Sequence, residues 1–168
     1  MKRLLLLLCF GIISHVAGSP PAHTNNQTQQ TLTFLAKKHL FEEGIYKRSL
    51  TPELFWEALH YAGVIEPQIV YKQAIIKTGY FTSIMLWRNN NLFGMRLAKV
   101  RSTTAIGQIE YHAYYKHWYD SVKDYALWQQ YYIERGYSVI EYMAFLQEIG
   151  YATDKNYISK LKSISDYS

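Results

Sequence analysis

Four stretches of this chain share one punctuation, proline or a small polar residue at the start and glycine at the end. Thr51 and Pro52 supply an N-cap and a first helical position for "PELFWEALHYA", which Gly63 closes. Pro67 opens "PQIVYKQAIIKT" and Gly79 ends it. Ser121 with Asp124 reads as a start for "VKDYALWQQYYIER" before Gly136, and Ser138 with Glu141 as a capping box for "VIEYMAFLQEI" before Gly150. Proline at the first helical position forfeits an N–H that has no intrahelical partner anyway, and glycine enters the left-handed cap without a Cβ clash, so this order of signals specifies helices. Thr153 or Asp154 caps a last helix that carries Tyr157, Ile158, Leu161 and Ile164 on one stripe. Only Leu97 to Tyr114, with β-branched residues and no helical period, predicts an irregular loop or a short hairpin. The fold class is mainly α.

Before these helices comes a different kind of sequence. "MKRLLLLLCFGIISHVAGS" joins a basic start, an unbroken apolar run and small residues, the form of a secretory signal cut near Ala17 to Ser19. The run from Leu4 to Ile13 is too short to span a bilayer, which disfavours a membrane anchor. A lipid attached at Cys9 is disfavoured by the bulky Leu7 and Leu8 before it. Residues 20–31 are polar with paired prolines and predict a flexible leader. Residues 32–168 predict one folded domain, without internal repeat or stable membrane insertion once the signal is removed. Cys9 is the only cysteine, so the mature chain would have neither disulfide nor thiol nucleophile, and its stability must come from packing. With 49% hydrophobic residues in 168, packing suffices. Loss of Lys2 and Arg3 leaves 16 basic against 13 acidic side chains, too mild an excess to name a partner.

Lys77 breaks the pattern of its helix. At about 100° per residue it falls between Gln73 and Val70, in the middle of the inward stripe and one turn before Gly79. Lysine is rarely buried unless paired, because removing an ammonium from water costs several kcal/mol. Either the helix end reaches the surface and the side chain snorkels, or the helix end opens into a cleft.

The motifs "QAIIKTGYFTS", "NNNLFGM" and "GYATDKNYISKL" follow in that order, and together they resemble the peptidoglycan-cleaving β-N-acetylglucosaminidases of glycoside hydrolase family 73. The resemblance covers about Leu54 to Ile164. It implies a lysozyme-like helical domain with a small β-hairpin lobe flanking a sugar-binding groove, no metal or organic cofactor, peptidoglycan glycan strands as ligand, and an exported location in a bacterial periplasm, cell envelope or medium. The family's helix ends "QAILETG" or similar, with the glutamate as general acid; the matching residue here is Lys77. Glycosidic cleavage of this kind needs a carboxylic acid of raised pKa, and a lysine, with an ordinary pKa of about 10.4, does not fill that part easily. The family's second carboxylate follows a Thr-Thr pair. Here Ala105 follows Thr104, and Glu110 is the nearest candidate. By the same resemblance Thr78, Asn91, Phe93 and Tyr151 are substrate-facing. Tyr114, crowded with Tyr111, Tyr115, Tyr119 and Trp118, offers a flat face on which a sugar ring can stack.

Two functions fit. One is a non-catalytic wall-binding or partner-binding domain whose groove has lost its acid. The other is an active glucosaminidase that uses another acid, or one whose lysine is an introduced substitution. His39, His60, His112 and His117 lack ligand spacing with carboxylates or cysteines, so no metal site is expected. The signal and the absence of a clustered Lys/Arg face argue against nucleic acid.

Overall fold

A computed structural model describes residues 22–134 and 142–168. The predicted signal and the capping box at Ser138 and Glu141 lie outside the described residues, as does Gly136. The chain divides into two compact units, with the boundary in the sequence between Leu40 and Phe41. The described part of the first unit is helical and belongs to α1 (Ala22–Ile45), whose last residues lie in the second. Residues 22–31, read from sequence as a flexible leader, are thus helical. No proline or glycine falls between Ala22 and Glu43, and the Thr31 and Thr33 hydroxyls donate back to the Gln27 and Gln29 carbonyls, as threonine does inside a helix.

The second unit contains α2 (Pro52–Tyr61), α3 (Pro67–Thr78), α4 (Ile84–Asn89), β1 (Gly107–Ile109), β2 (His112–Tyr114), α5 (Trp118–Glu134), α6 (Tyr142–Glu148) and α7 (Tyr157–Ser163). It is the mainly helical domain with a small hairpin lobe that the sequence predicts. At α2 the Thr51 hydroxyl accepts from Leu54 N with Pro52 behind it, as its sequence requires. The start of α5 differs. Ser121 and Asp124 lie inside the helix, and the cap is His117: its Nδ1 accepts from Tyr119 N, while Asp120 Oδ2 accepts from His117 N. This is a capping box in which histidine replaces the usual hydroxyl. Asn156, rather than Thr153 or Asp154, precedes α7.

α3 is the hub. Val70, Tyr71, Lys72, Gln73, Ala74, Ile75 and Thr78 are all buried, so this helix has no solvent face to speak of and packs against both α2 and α7. Its buried Lys72 is paired with Asp166 at 2.6 Å. Phe93 packs at a tilt against Tyr125, ring centres 4.3 Å apart, and approaches Phe55 at 6.1 Å, which joins α2 to α5 through the centre. Truncating a ring such as Phe55 would remove about 3–5 kcal/mol.

The lobe is held by a run of three asparagines. Asn89 Nδ2 donates to Ile109 O, Asn90 Nδ2 to Tyr115 O, and Asn91 Nδ2 to Ala113 O. β1 and β2 pair antiparallel with Gly107 opposite Tyr114 and Ile109 opposite His112. Glu110 and Tyr111 between them both have positive φ, 48° and 67°, the backbone of a type I′ turn.

Candidate functional site

A cleft of about 480 Å³ opens where α3 ends. One wall is the segment from Phe93 to Arg101, the other comprises Trp128, Tyr131 and Tyr132 of α5, and Ile149 to Tyr151 with Thr153 complete it. Lys77 enters this space from the last turn of α3. Its stem lies against Gly94, where an added Cβ would stand 3.7 Å from Lys77 Cδ. Gly94 has φ +65°, so the backbone rather than lack of space favours glycine there. Lys77 Nζ stands 5.3 Å from the ring centre of Tyr151 and 5.4 Å from that of Tyr157. The sequence left two positions for this lysine, and the structure has the one in the cleft. No carboxylate of the described residues is within ion-pair distance of it. Burial lowers its pKa from the ordinary lysine value, opposed by the field of Asp154, which is exposed and tied to Lys160 at 2.6 Å.

The turn after Lys77 is conformationally costly. Gly79, Tyr80 and Phe81 are three successive residues in the left-handed region, with φ 55°, 58° and 63°. Thr78 holds them: its hydroxyl donates to Ala74 O and accepts from Phe81 N, and its carbonyl accepts from both Thr82 N and Ser83 N. Strain braced in this way is common beside functional sites.

Arg101 reaches the same cleft but is neutralised. Its Nη1 and Nη2 donate to Asp124 Oδ1 and Oδ2 at 2.8 and 3.0 Å, and the carboxylate is fully buried. Tyr115 OH donates to the same carboxylate at 2.7 Å, and Thr104 N at 3.3 Å. Burial alone would raise the Asp124 carboxyl, but the Arg101 fork and the Tyr115 hydroxyl hold it below its ordinary value. Burial, then Asp124, pushes the Tyr115 hydroxyl up.

The residues singled out from sequence are only partly gathered here. Lys77, Phe93 and Tyr151 line the cleft. Tyr151 donates its hydroxyl inward to Phe93 O, so it presents ring rather than hydroxyl. Asn91 is buried, and its polar atoms are committed: Nδ2 donates to Met95 O and Ala113 O, and Oδ1 accepts from Phe93 N and Met95 N. Thr78 is likewise buried and used by the turn. Both hold the walls of the site. Tyr114 lies in β2 and is not among the described lining residues, and neither are Tyr111, Tyr115 and Tyr119. Glu110 sits at the hairpin tip, exposed and bound to Arg88 at 2.7 Å, away from the cleft. The aromatic wall instead comes from Trp128, Tyr131 and Tyr132, and the basic rim from Arg96 and Lys99. A sequence reading missed these because their only signal is a helix face of aromatics, which core packing produces equally well.

Among the described residues no group of three or more His, Cys, Asp or Glu side chains gathers, and no helix is long and apolar enough to cross a membrane. No curated protein and no solved structure gives a significant match to the chain. Residues 53–167, from the start of α2 to the end of the domain and with every cleft residue included, match the family described as mannosyl-glycoprotein endo-beta-N-acetylglucosaminidase, and the chain belongs to that glucosaminidase family.

Proposed function

We propose that this chain is an exported, peptidoglycan-binding relative of the glucosaminidases that does not cleave glycan, because Lys77 occupies the general-acid position. The observation that carries this reading is the Lys77 ammonium itself, at the cleft end of α3 with no carboxylate among the described lining residues. Protonating a glycosidic oxygen near neutral pH calls for an acid whose pKa lies near that pH, such as a carboxylic acid of raised pKa, and an ammonium is too weak an acid for the part; a carboxylate partner or held water completes the step. No aspartate or glutamate is among the described lining residues of the cleft. Glu110, the acid that an active enzyme would need to recruit, is engaged with Arg88 at the lobe tip. Membership of the family and the aromatic wall of Phe93, Trp128 and Tyr151 support a saccharide as the ligand. The signal-like start supports export to the compartment where peptidoglycan lies.

Incubation of the protein with purified peptidoglycan tests this. Release of reducing ends should stay at the buffer level, while the protein sediments with the insoluble wall. Lys77→Glu restores a carboxyl at a half-buried helix C-terminus, where desolvation and the helix dipole both raise its pKa, and should yield weak cleavage. Lys77→Gln should yield none. Turnover by the parent that Glu110→Gln abolishes would overturn the proposal.

A further inference from the structure

Lys77 is one of four cations that line the cleft, with Arg96, Lys99 and Arg101, and no aspartate or glutamate is among the described lining residues. Asp124 neutralises Arg101. Arg96 and Lys99 are exposed and, like Lys77, have no carboxylate of the described residues within ion-pair distance. Lys77 differs from those two in being half-buried with its ammonium over the Tyr151 and Tyr157 rings. Contacts of this kind return about 0.5–2 kcal/mol, less than the several kcal/mol that desolvating a cation costs. Asp154, whose field reaches Lys77, is exposed and already paired with Lys160, so among the described residues the site holds a positive charge without a paired counter-ion, beside a wall of aromatic rings.

From this arrangement we infer that the cleft is specific for an acidic saccharide, a pyranose bearing a carboxylate that seats on the Lys77 ammonium while its ring lies against Trp128 and Tyr151. The inference rests on the glycan-binding reading above and adds the substrate class. A carboxylate reaching Lys77 makes a charge-assisted hydrogen bond in a partly dry site, where it is shorter and stronger than a neutral one. A neutral N-acetyl sugar has no group that compensates the ammonium. Arg96 and Lys99 lie in solvent, where salt screens them within about 8–10 Å, so they draw an anion in without discriminating among anions. Position 77 thereby sets specificity where a glutamate would set reactivity.

Calorimetric titration of the full chain with three probes tests this: tetragalacturonate, which carries ring carboxylates; chitotetraose, which is neutral; and tetraglutamate, which carries carboxylates without sugar. Tetragalacturonate should bind at least about tenfold more tightly than either of the others. Lys77→Gln should remove that preference and leave chitotetraose within about twofold, Lys77→Arg should retain it, and Lys77→Glu should invert it. The double variant Arg96→Gln with Lys99→Gln should weaken all anionic probes alike, and only at low salt. Lys77→Arg shows that a loss in Lys77→Gln comes from charge, and a thermal melt of each variant confirms folding. Equal binding of chitotetraose and tetragalacturonate overturns the inference but leaves the glycan reading standing. Tetraglutamate matching tetragalacturonate also overturns it, since the cleft would then read charge alone. Binding of no saccharide defeats both.

Discussion

Arg101 and Lys77 face the same cleft in different electrostatic company. Arg101 meets Asp124 through two parallel hydrogen bonds, with Tyr115 and Thr104 N completing the carboxylate's shell. The pair ties the segment before β1 to α5. Lys77 has ring faces and no paired carboxylate among the described residues, only the more distant field of Asp154, which Lys160 already holds. Cations of the first kind are structural, and replacing one partner leaves the other buried and uncompensated. A cation of the second kind costs the fold something, so its retention at a cleft points to what enters the cleft.

Breaking the paired side should give the largest effect. Asp124→Asn leaves Arg101 without its counter-ion, and urea denaturation should register a loss of about 3–5 kcal/mol. The unpaired side should behave oppositely: Lys77→Met, similar in length and apolar, should be neutral or stabilise by up to about 1 kcal/mol. A loss above about 1 kcal/mol would mean that the ammonium has a structural partner after all.

The two charges also separate by pH. Asp124 has a lowered pKa in the folded state, so the unfolded chain binds more protons below the ordinary aspartate value, and this contribution is present above that value and lost as pH falls through the folded pKa. Lys77 also has a lowered folded pKa, so between that value and the ordinary lysine value its contribution to stability rises with pH, while buried tyrosines of raised pKa such as Tyr115 and Tyr157 contribute the opposite trend at the alkaline end. Denaturation midpoints across pH should therefore show a flatter acid limb in Asp124→Asn, and the midpoint difference between the parent and Lys77→Met should shift in favour of the parent as pH rises through the alkaline window. A difference that does not change with pH would assign the alkaline dependence to another group.

The smallest effect concerns the floor beneath Lys77. Among the described residues, Tyr157 OH and Gln73 Nε2 are buried and neither makes a well-formed hydrogen bond, although Gln73 Oε1 accepts from Tyr125 OH at 2.7 Å. Burial pushes the Tyr157 hydroxyl up, the Gln73 amide opposing it. Tyr157→Phe keeps the ring under the ammonium and removes an unsatisfied hydroxyl, so stability should change by less than about 0.5 kcal/mol or rise. A loss of more than about 1 kcal/mol would show that the hydroxyl is bonded in solution.

Local chemistry wrote much of this molecule in the sequence. Pro52 and Pro67 at helix starts, Gly79 and Gly150 after helix ends, and the loop or hairpin expected between Leu97 and Tyr114 act over a few residues, and each is found where its signal lies. The anomaly of Lys77 was equally legible, since periodicity alone sets it on an inward face. The spacing of Ser121 and Asp124 misled because one carboxylate can cap a helix or neutralise a guanidinium. Arg101, 23 residues away, settles which, and no local signal connects them. Asn91 and Thr78 could not be told from ligand contacts until their partners were known, because a polar side chain facing a cleft and one stitching its wall have the same sequence. Only the tertiary fold brought Lys77 over the rings of Tyr151 and Tyr157 while carrying Glu110 to the far tip of the lobe. Whether a charge has a counter-ion depends on residues distant along the chain, and that is decided when the helices pack.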